Sequence, residues 1–160
     1  MRQLLYLAAG TLIGAGAHAA AVQPRDIVSL NHVALATANF DEAAKFYTDV
    51  MGFPQAFAFR EPDGSPRLSY FQVNRNTFVE LMPVSPERPA GFVHVGLEVT
   101  NLDAVVQRLR ARGMDVKDPS VSPRTKSRVA VARTPQGVVV ELLEFGPGSL
   151  HRKAMTDWKD

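Results

Sequence analysis

Leu30-Asn31-His32-Val33-Ala34-Leu35 and Phe92-Val93-His94-Val95-Gly96-Leu97 are one strand written twice. A shift of 62 residues sets His32 on His94, Val33 on Val95 and Leu35 on Leu97, then continues to Asn39 on Asn101 and Asp41 on Asp103. A shift of 61 sets Phe78-Val79-Glu80-Leu81 on Val139-Val140-Glu141-Leu142, so the His-to-Glu separations are 48 and 47 residues. Self-similarity at a fixed offset marks a repeated supersecondary unit. Two such units make up the central part of this chain.

Within each unit the hydrophobic periods agree. Residues 30–37 and 92–99 alternate and are rich in Val and Leu, the pattern of a half-buried strand. After the first comes a helix opened by Asn39 with Glu42 three residues on, a start resembling a capping box; Ala43, Phe46, Tyr47 and Val50 form its apolar stripe, and Gly52 ends it. After the second comes a helix opened by Asn101, with stripe Leu102, Val105, Val106 and Leu109 and a basic end of Arg108, Arg110 and Arg112 before Gly113. Strands are predicted at 53–60, 67–73 and 77–83 in the first unit and at 114–118, 127–133 and 138–145 in the second, with turns at Glu61-Pro62-Asp63-Gly64, Asn74-Arg75-Asn76 and Thr134-Pro135-Gln136-Gly137. Each unit is βαβββ. One unit alone leaves a sheet face bare, so the expected fold is α+β: two tandem βαβββ modules, 27–84 and 90–146, pairing into an open, barrel-like mixed sheet with helices outside. Residues 147–160 turn polar and read as a C-terminal tail.

The 160 residues are 46% hydrophobic and 21% charged, a globular balance, and the net charge of +2 argues against nucleic acid as partner. The chain has no cysteine, which excludes disulfides, thiolate zinc sites and a lipidated Cys. Residues 1–21 read as a secretory signal: Met1-Arg2, an apolar run over Leu4 to Gly16, then Ala17-His18-Ala19 as a small-x-small cleavage motif. The run is too short for a stable membrane anchor. A periplasmic or secreted location follows.

Of the four histidines, His18 leaves with the signal and His151 falls in the tail. His32 and His94 therefore occupy equivalent first-strand positions, and Glu80 and Glu141 occupy equivalent last-strand positions inside apolar runs, where an unpartnered carboxylate is costly. Small residues share a strand face with the histidines: Ala34 and Ala36 with His32, Gly96 with His94. Two imidazoles and two carboxylates converging across a pseudo-twofold make a mixed nitrogen and oxygen metal site with positions left open. Arg60, Arg67, Arg75, Arg124, Lys126 and Arg128 read as solvated cations, with contact to an anionic substrate as the alternative; Phe59, Tyr70 and Phe71 read as core or pocket wall.

These motifs, together with Phe46-Tyr47 and Met51-Gly52-Phe53 at the first helix end, resemble the vicinal oxygen chelate superfamily over residues 28–145. That superfamily includes glyoxalase I, fosfomycin-resistance and bleomycin-binding proteins, methylmalonyl-CoA epimerase and extradiol dioxygenases. The resemblance implies that His32, Glu80, His94 and Glu141 hold one divalent metal, nickel, cobalt or zinc, which takes two adjacent oxygens of a small substrate. With Glu80 filling the fourth slot, the pattern is similar to the glyoxalase I branch. It implies a lyase or isomerase in which Glu141, or else Glu80, abstracts a proton to give a metal-stabilised enediolate. The alternatives are an extradiol-type dioxygenase using Fe(II) on His32, His94 and Glu141, or a non-catalytic small-molecule or antibiotic binder. An exported start conflicts with a glutathione adduct as substrate. A homodimer is expected, and the substrate-binding residues are not legible.

Overall fold

The computed structural model describes residues 26–159. The expected signal segment, 1–21, lies outside them. The chain runs β1 (Ile27–Thr37), α1 (Phe40–Lys45), a π-helical stretch (Phe46–Val50), β2 (Gln55–Arg60), β3 (Pro66–Asn74), β4 (Thr77–Pro83), β5 (Gly91–Val99), α2 (Leu102–Ala111), β6 (Ser120–Val121), β7 (Arg128–Arg133), β8 (Val139–Glu144) and α3 (Leu150–Asp157).

The strands form one eight-stranded sheet in the order β2-β3-β4-β1-β5-β8-β7-β6. β1 and β5 pair antiparallel at its centre, while β1 pairs with β4, and β5 with β8, in parallel. Both halves repeat the same order outward from the central pair, as the βαβββ duplication requires. This is the expected α+β architecture of two modules in an open, curled mixed sheet.

Alternation along the strands divides the side chains between two faces. Leu35, Phe71, Val79 and Leu81 pack with Phe40, Ala43, Ala44 and Tyr47 under the first helix. Val99, Ala130, Ala132 and Leu142 pack with Leu102, Val105 and Val106 of α2. The opposite, concave face carries His32, Tyr70, Phe78, Glu80, Glu141 and Leu143.

The structure corrects four local expectations. Residues 147–160 are not simply a tail: Gly146 to Gly148 turn the chain back, Ser149 caps α3 by accepting from Arg152 N–H at 3.3 Å, and His151 and Met155 are buried. His151, Ala154 and Met155 make a stripe only one turn long, too short to register as a period. The strand expected at 114–118 reduces to a bridge between Val116 and Ala132; the paired segment is Ser120–Val121, beyond Pro119, which has no N–H to give a ladder. The first helix widens after Lys45, with Met51 N–H reaching Phe46 C=O at 3.0 Å, and Tyr47 stacks on Phe71 at 5.3 Å. Asn39 does not cap through its side chain, which instead donates to Glu42 at 3.3 Å, whereas Asn101 does accept from Ala104 N–H at 3.0 Å. Among the described residues no helix is long and apolar enough to cross a membrane.

Candidate metal centre

Strand register brings the four side chains together. Across the central pair His32 stands opposite Gly96 and His94 opposite Ala34. Across the parallel pairs Ala34 stands opposite Glu80, and Gly96 opposite Glu141. Each imidazole therefore lies over the small residue of the other module, with the two carboxylates flanking. The fit is close at Gly96, where an added Cβ would fall 2.1 Å from His32 Cε1.

All four residues come from one chain. His32 Nε2 and His94 Nε2 are 2.9 Å apart. Glu80 Oε2 lies 3.3 Å from the first and 3.1 Å from the second; Glu141 Oε2 lies 3.5 and 3.7 Å away. One ligand atom each from His32, His94 and Glu141 falls within a 4.8 Å group. Ligands at about 2.1 Å from one ion sit roughly 3.0–3.4 Å apart when the angles at the ion are between 90° and tetrahedral. The imidazole and Glu80 separations are of that size. Glu80 Oε2 is also buried without a hydrogen-bonding partner, a costly state for a carboxylate oxygen unless a cation faces it. The donor set fits a divalent ion.

A chain of hydrogen bonds orients the more buried imidazole. Asn31 Nδ2 donates to Asn76 C=O at 3.2 Å, leaving Asn31 Oδ1 to face His32 Nδ1 at 3.0 Å. The proton then resides on Nδ1, and the Nε2 lone pair points toward Glu80 and Glu141. Burial, and then the charges His94 and His151 could carry, keep His32 well below the ordinary histidine range. Burial also pulls His94 down, but the adjacent carboxylates, Glu80 first and then Glu141, outweigh it and leave His94 raised. Burial, then the charge of Glu80, push Glu141 up to about 7. Burial and the charges of Glu80 and Glu141 hold the Tyr70 phenol well above its usual range.

A cavity of about 140 Å³ opens beside the quartet, bounded by Tyr70, Glu80, Glu141, Leu143, His151 and Arg124. His151 is the residue the sequence concealed. Its ring lies 6.2 Å from that of His32, nearly parallel, and against Tyr70 at 4.8 Å. Ser149 Oγ lies 3.0 Å from Ser127 Oγ, which lies 3.1 Å from His151 Nδ1. If Ser149 donates to Ser127 and Ser127 to Nδ1, every hydroxyl proton is used, and the ring proton falls on Nε2. Burial pushes His151 down to about 3, so the ring is neutral at ordinary pH. Of the aromatics singled out above, Tyr70 walls this cavity, Phe71 lies under the first helix and Phe59 lines a separate recess near Phe40.

A single open sheet built from two βαβββ modules, with a mixed imidazole and carboxylate cluster on its concave face, defines the vicinal oxygen chelate class. The chain belongs to the Glyoxalase/Bleomycin resistance protein/Dioxygenase superfamily, whose family model matches residues 29–142. It is 33% identical over 110 residues to an iron-dependent extradiol dioxygenase of Rhodococcus jostii (strain RHA1), covering 55% of this chain and 36% of that protein. It is 28% identical over 127 residues to the mitochondrial methylmalonyl-CoA epimerase of Homo sapiens, covering 71% of this chain and 72% of that protein. The crystal structure of methylmalonyl-CoA epimerase from Mycobacterium tuberculosis superposes with a TM-score of 0.65 at 25% identity, covering 76% of this chain and 91% of that one.

Two measurements check this geometry. Gly96→Ala is expected to displace the His32 ring and weaken zinc binding at least about tenfold with the circular dichroism spectrum kept, as read by competition with a chromogenic chelator. In metal-free protein the raised Glu141 carboxyl binds its proton more tightly folded than unfolded. Wild type should thus lose stability relative to Glu141→Gln as pH rises from about 4.5 to 7, by up to about 3 kcal/mol, in urea melts at successive pH values.

Proposed function

We propose that the protein is a metal-dependent isomerase of the epimerase kind, which removes a proton from a carbon beside a carbonyl and returns it. The observation that carries this reading is the inequality between two symmetry-related carboxylates. Both border the cavity, but Glu80 is the more buried, its side chain 6% exposed and 3.1 to 3.3 Å from the imidazoles, whereas Glu141 is 22% exposed and stands farther off, at 3.5 to 3.7 Å. Glu80 suits a fixed ligand and Glu141 a mobile base.

His32, His94 and Glu80 would hold the ion, with Glu141 as the fourth group at rest. When bound, the ion supplies Lewis acidity toward two neighbouring substrate oxygens. Glu141 takes the proton from the adjacent carbon; burial and the charge of Glu80 raise its carboxyl to about 7 in the metal-free protein, so its protonated form is not strongly disfavoured there. Asn31 fixes the His32 tautomer. Tyr70, Leu143 and His151 wall the cavity and limit the access of water to the carbanionic carbon. The relatives named epimerase support this reading, and nothing comparable favours the lyase chemistry of glyoxalase I. Residues 1–21 support an exported protein.

A second reading rests on a specific observation. His32, His94 and Glu141 form a two-His, one-carboxylate group, the set used by non-haem ferrous oxygenases, and one relative is an iron-dependent extradiol dioxygenase.

One set of measurements separates the two. Metal-loaded wild type, incubated in deuterated solvent with methylmalonyl-CoA and smaller 2-substituted acyl thioesters, is expected to incorporate deuterium at the carbon next to the carbonyl. Glu141→Gln should lose at least about a hundredfold of that exchange while keeping its metal, and His94→Ala should lose the metal. Oxygen uptake with catechol by the ferrous protein, without any exchange, would replace the isomerase reading by the dioxygenase one. Equal metal loss in both variants would remove Glu141 as the base.

A further inference from the structure

The inner cavity adjoins a larger one. Leu68 and Arg124 line both the 140 Å³ space beside the quartet and an outer cavity of about 490 Å³, whose wall also includes Glu61, Arg67, Met82 and Arg88. The outer volume is within the roughly 300–1,000 Å³ of small-molecule sites, whereas the inner one admits only a small head group.

Three arginines bound this outer cavity, and all three are half-buried, although guanidinium groups ordinarily stand in bulk water. Their partners are unequal. Arg67 pairs with Glu61, the one carboxylate in the wall. Arg88 donates from Nε to the Pro83 carbonyl at 3.0 Å and faces no carboxylate among the described residues. No hydrogen bond or ion pair engages the Arg124 guanidinium among the described residues. By contrast Arg128 bridges Glu144 and Asp103, Arg60 donates to Gly64 C=O, and Lys126 donates to Pro123 C=O. Two uncompensated positive charges thus border the way to the quartet, and a planar guanidinium offers paired donors matched to carboxylate or phosphate oxygens.

The geometry points to a substrate that carries, beyond its two vicinal oxygens, an anionic oxygen group, carboxylate or phosphate, held by Arg124 with Arg88 in the outer cavity. This rests on the proposed reading, in that the vicinal oxygens occupy the inner cavity. Arg124 and Arg88 are then specificity determinants: they select and orient the substrate at one end while Glu141 works at the other.

The zinc-loaded full chain, titrated by calorimetry at low salt, tests this with catechol, 3,4-dihydroxybenzoate and 3,4-dihydroxyphenylphosphonate. All three present the same vicinal oxygens. At least one anionic probe is expected to bind ten times more tightly than catechol, an advantage that shrinks with added salt and disappears in Arg124→Gln while catechol affinity is unchanged. The probe that gains more identifies the group. Equal affinities for all three, or an advantage that survives in both Arg124→Gln and Arg88→Gln, would overturn the assignment. Failure of catechol to bind a protein that retains its zinc would instead remove the vicinal-oxygen reading. The anion seat then stands only if benzoate or phenylphosphonate binds wild type and loses tenfold in Arg124→Gln.

Discussion

The antiparallel pairing of β1 with β5 is the constraint on which the rest depends. Among the described residues it is the only place where the two modules share a ladder, and its register sets His32 over Gly96 and His94 over Ala34. Because side chains alternate with a period of two, a slip of one strand by one residue would send its imidazole to the helix face and part it from the other. The parallel partners β4 and β8 inherit that register and deliver Glu80 and Glu141 to the same point. The helices and the outer strands β2, β3, β6 and β7 hold these four strands in place but contribute no group to the quartet.

Placing four polar side chains on an inner face carries a cost that the surroundings offset unevenly. Asn31, His32, Ser127, Ser149 and His151 are all fully or almost fully buried, and their hydrogen bonds account for nearly every polar atom. Among the described residues Glu80 Oε2 and His151 Nε2 are the exceptions. A buried, unpartnered polar atom destabilises a fold unless something outside the chain completes it. The cost at Glu80 is therefore concentrated where an ion would remove it, which couples stability to occupancy of the site.

The pseudo-twofold makes the two modules equivalent in backbone but not in environment. α3 returns across the concave face of the sheet and packs His151 against Tyr70, Phe57 and Phe78, so it crowds the side from which β4 presents Glu80. Glu141 keeps the greater exposure of the two. A duplicated pair of carboxylates thereby acquires two different environments, and the added helix supplies His151 to the wall of the inner cavity that Arg124 also borders.

Much of this was legible in the chain itself. The offsets of 62 and 61 expose the duplication, and the duplication requires the symmetric strand order and the pairing of first and last strands, because a module with one bare face is not stable alone. Equivalent positions of His32 and His94, and of Glu80 and Glu141, follow from the same repeat. What the chain does not display is set by contacts distant in sequence. His151 lies 119 residues from His32 and in a helix of two turns, so no local period announces that it is core. Arg124 and Arg128 are four residues apart in similar surroundings, yet one is engaged by two carboxylates and the other by none, since that depends on where Asp103 and Glu144 lie in space. Repetition is a property of the string of residues and can be read from it. Inequality between the repeated halves arises only when a non-repeated segment packs against one of them, and that is decided by the folded chain.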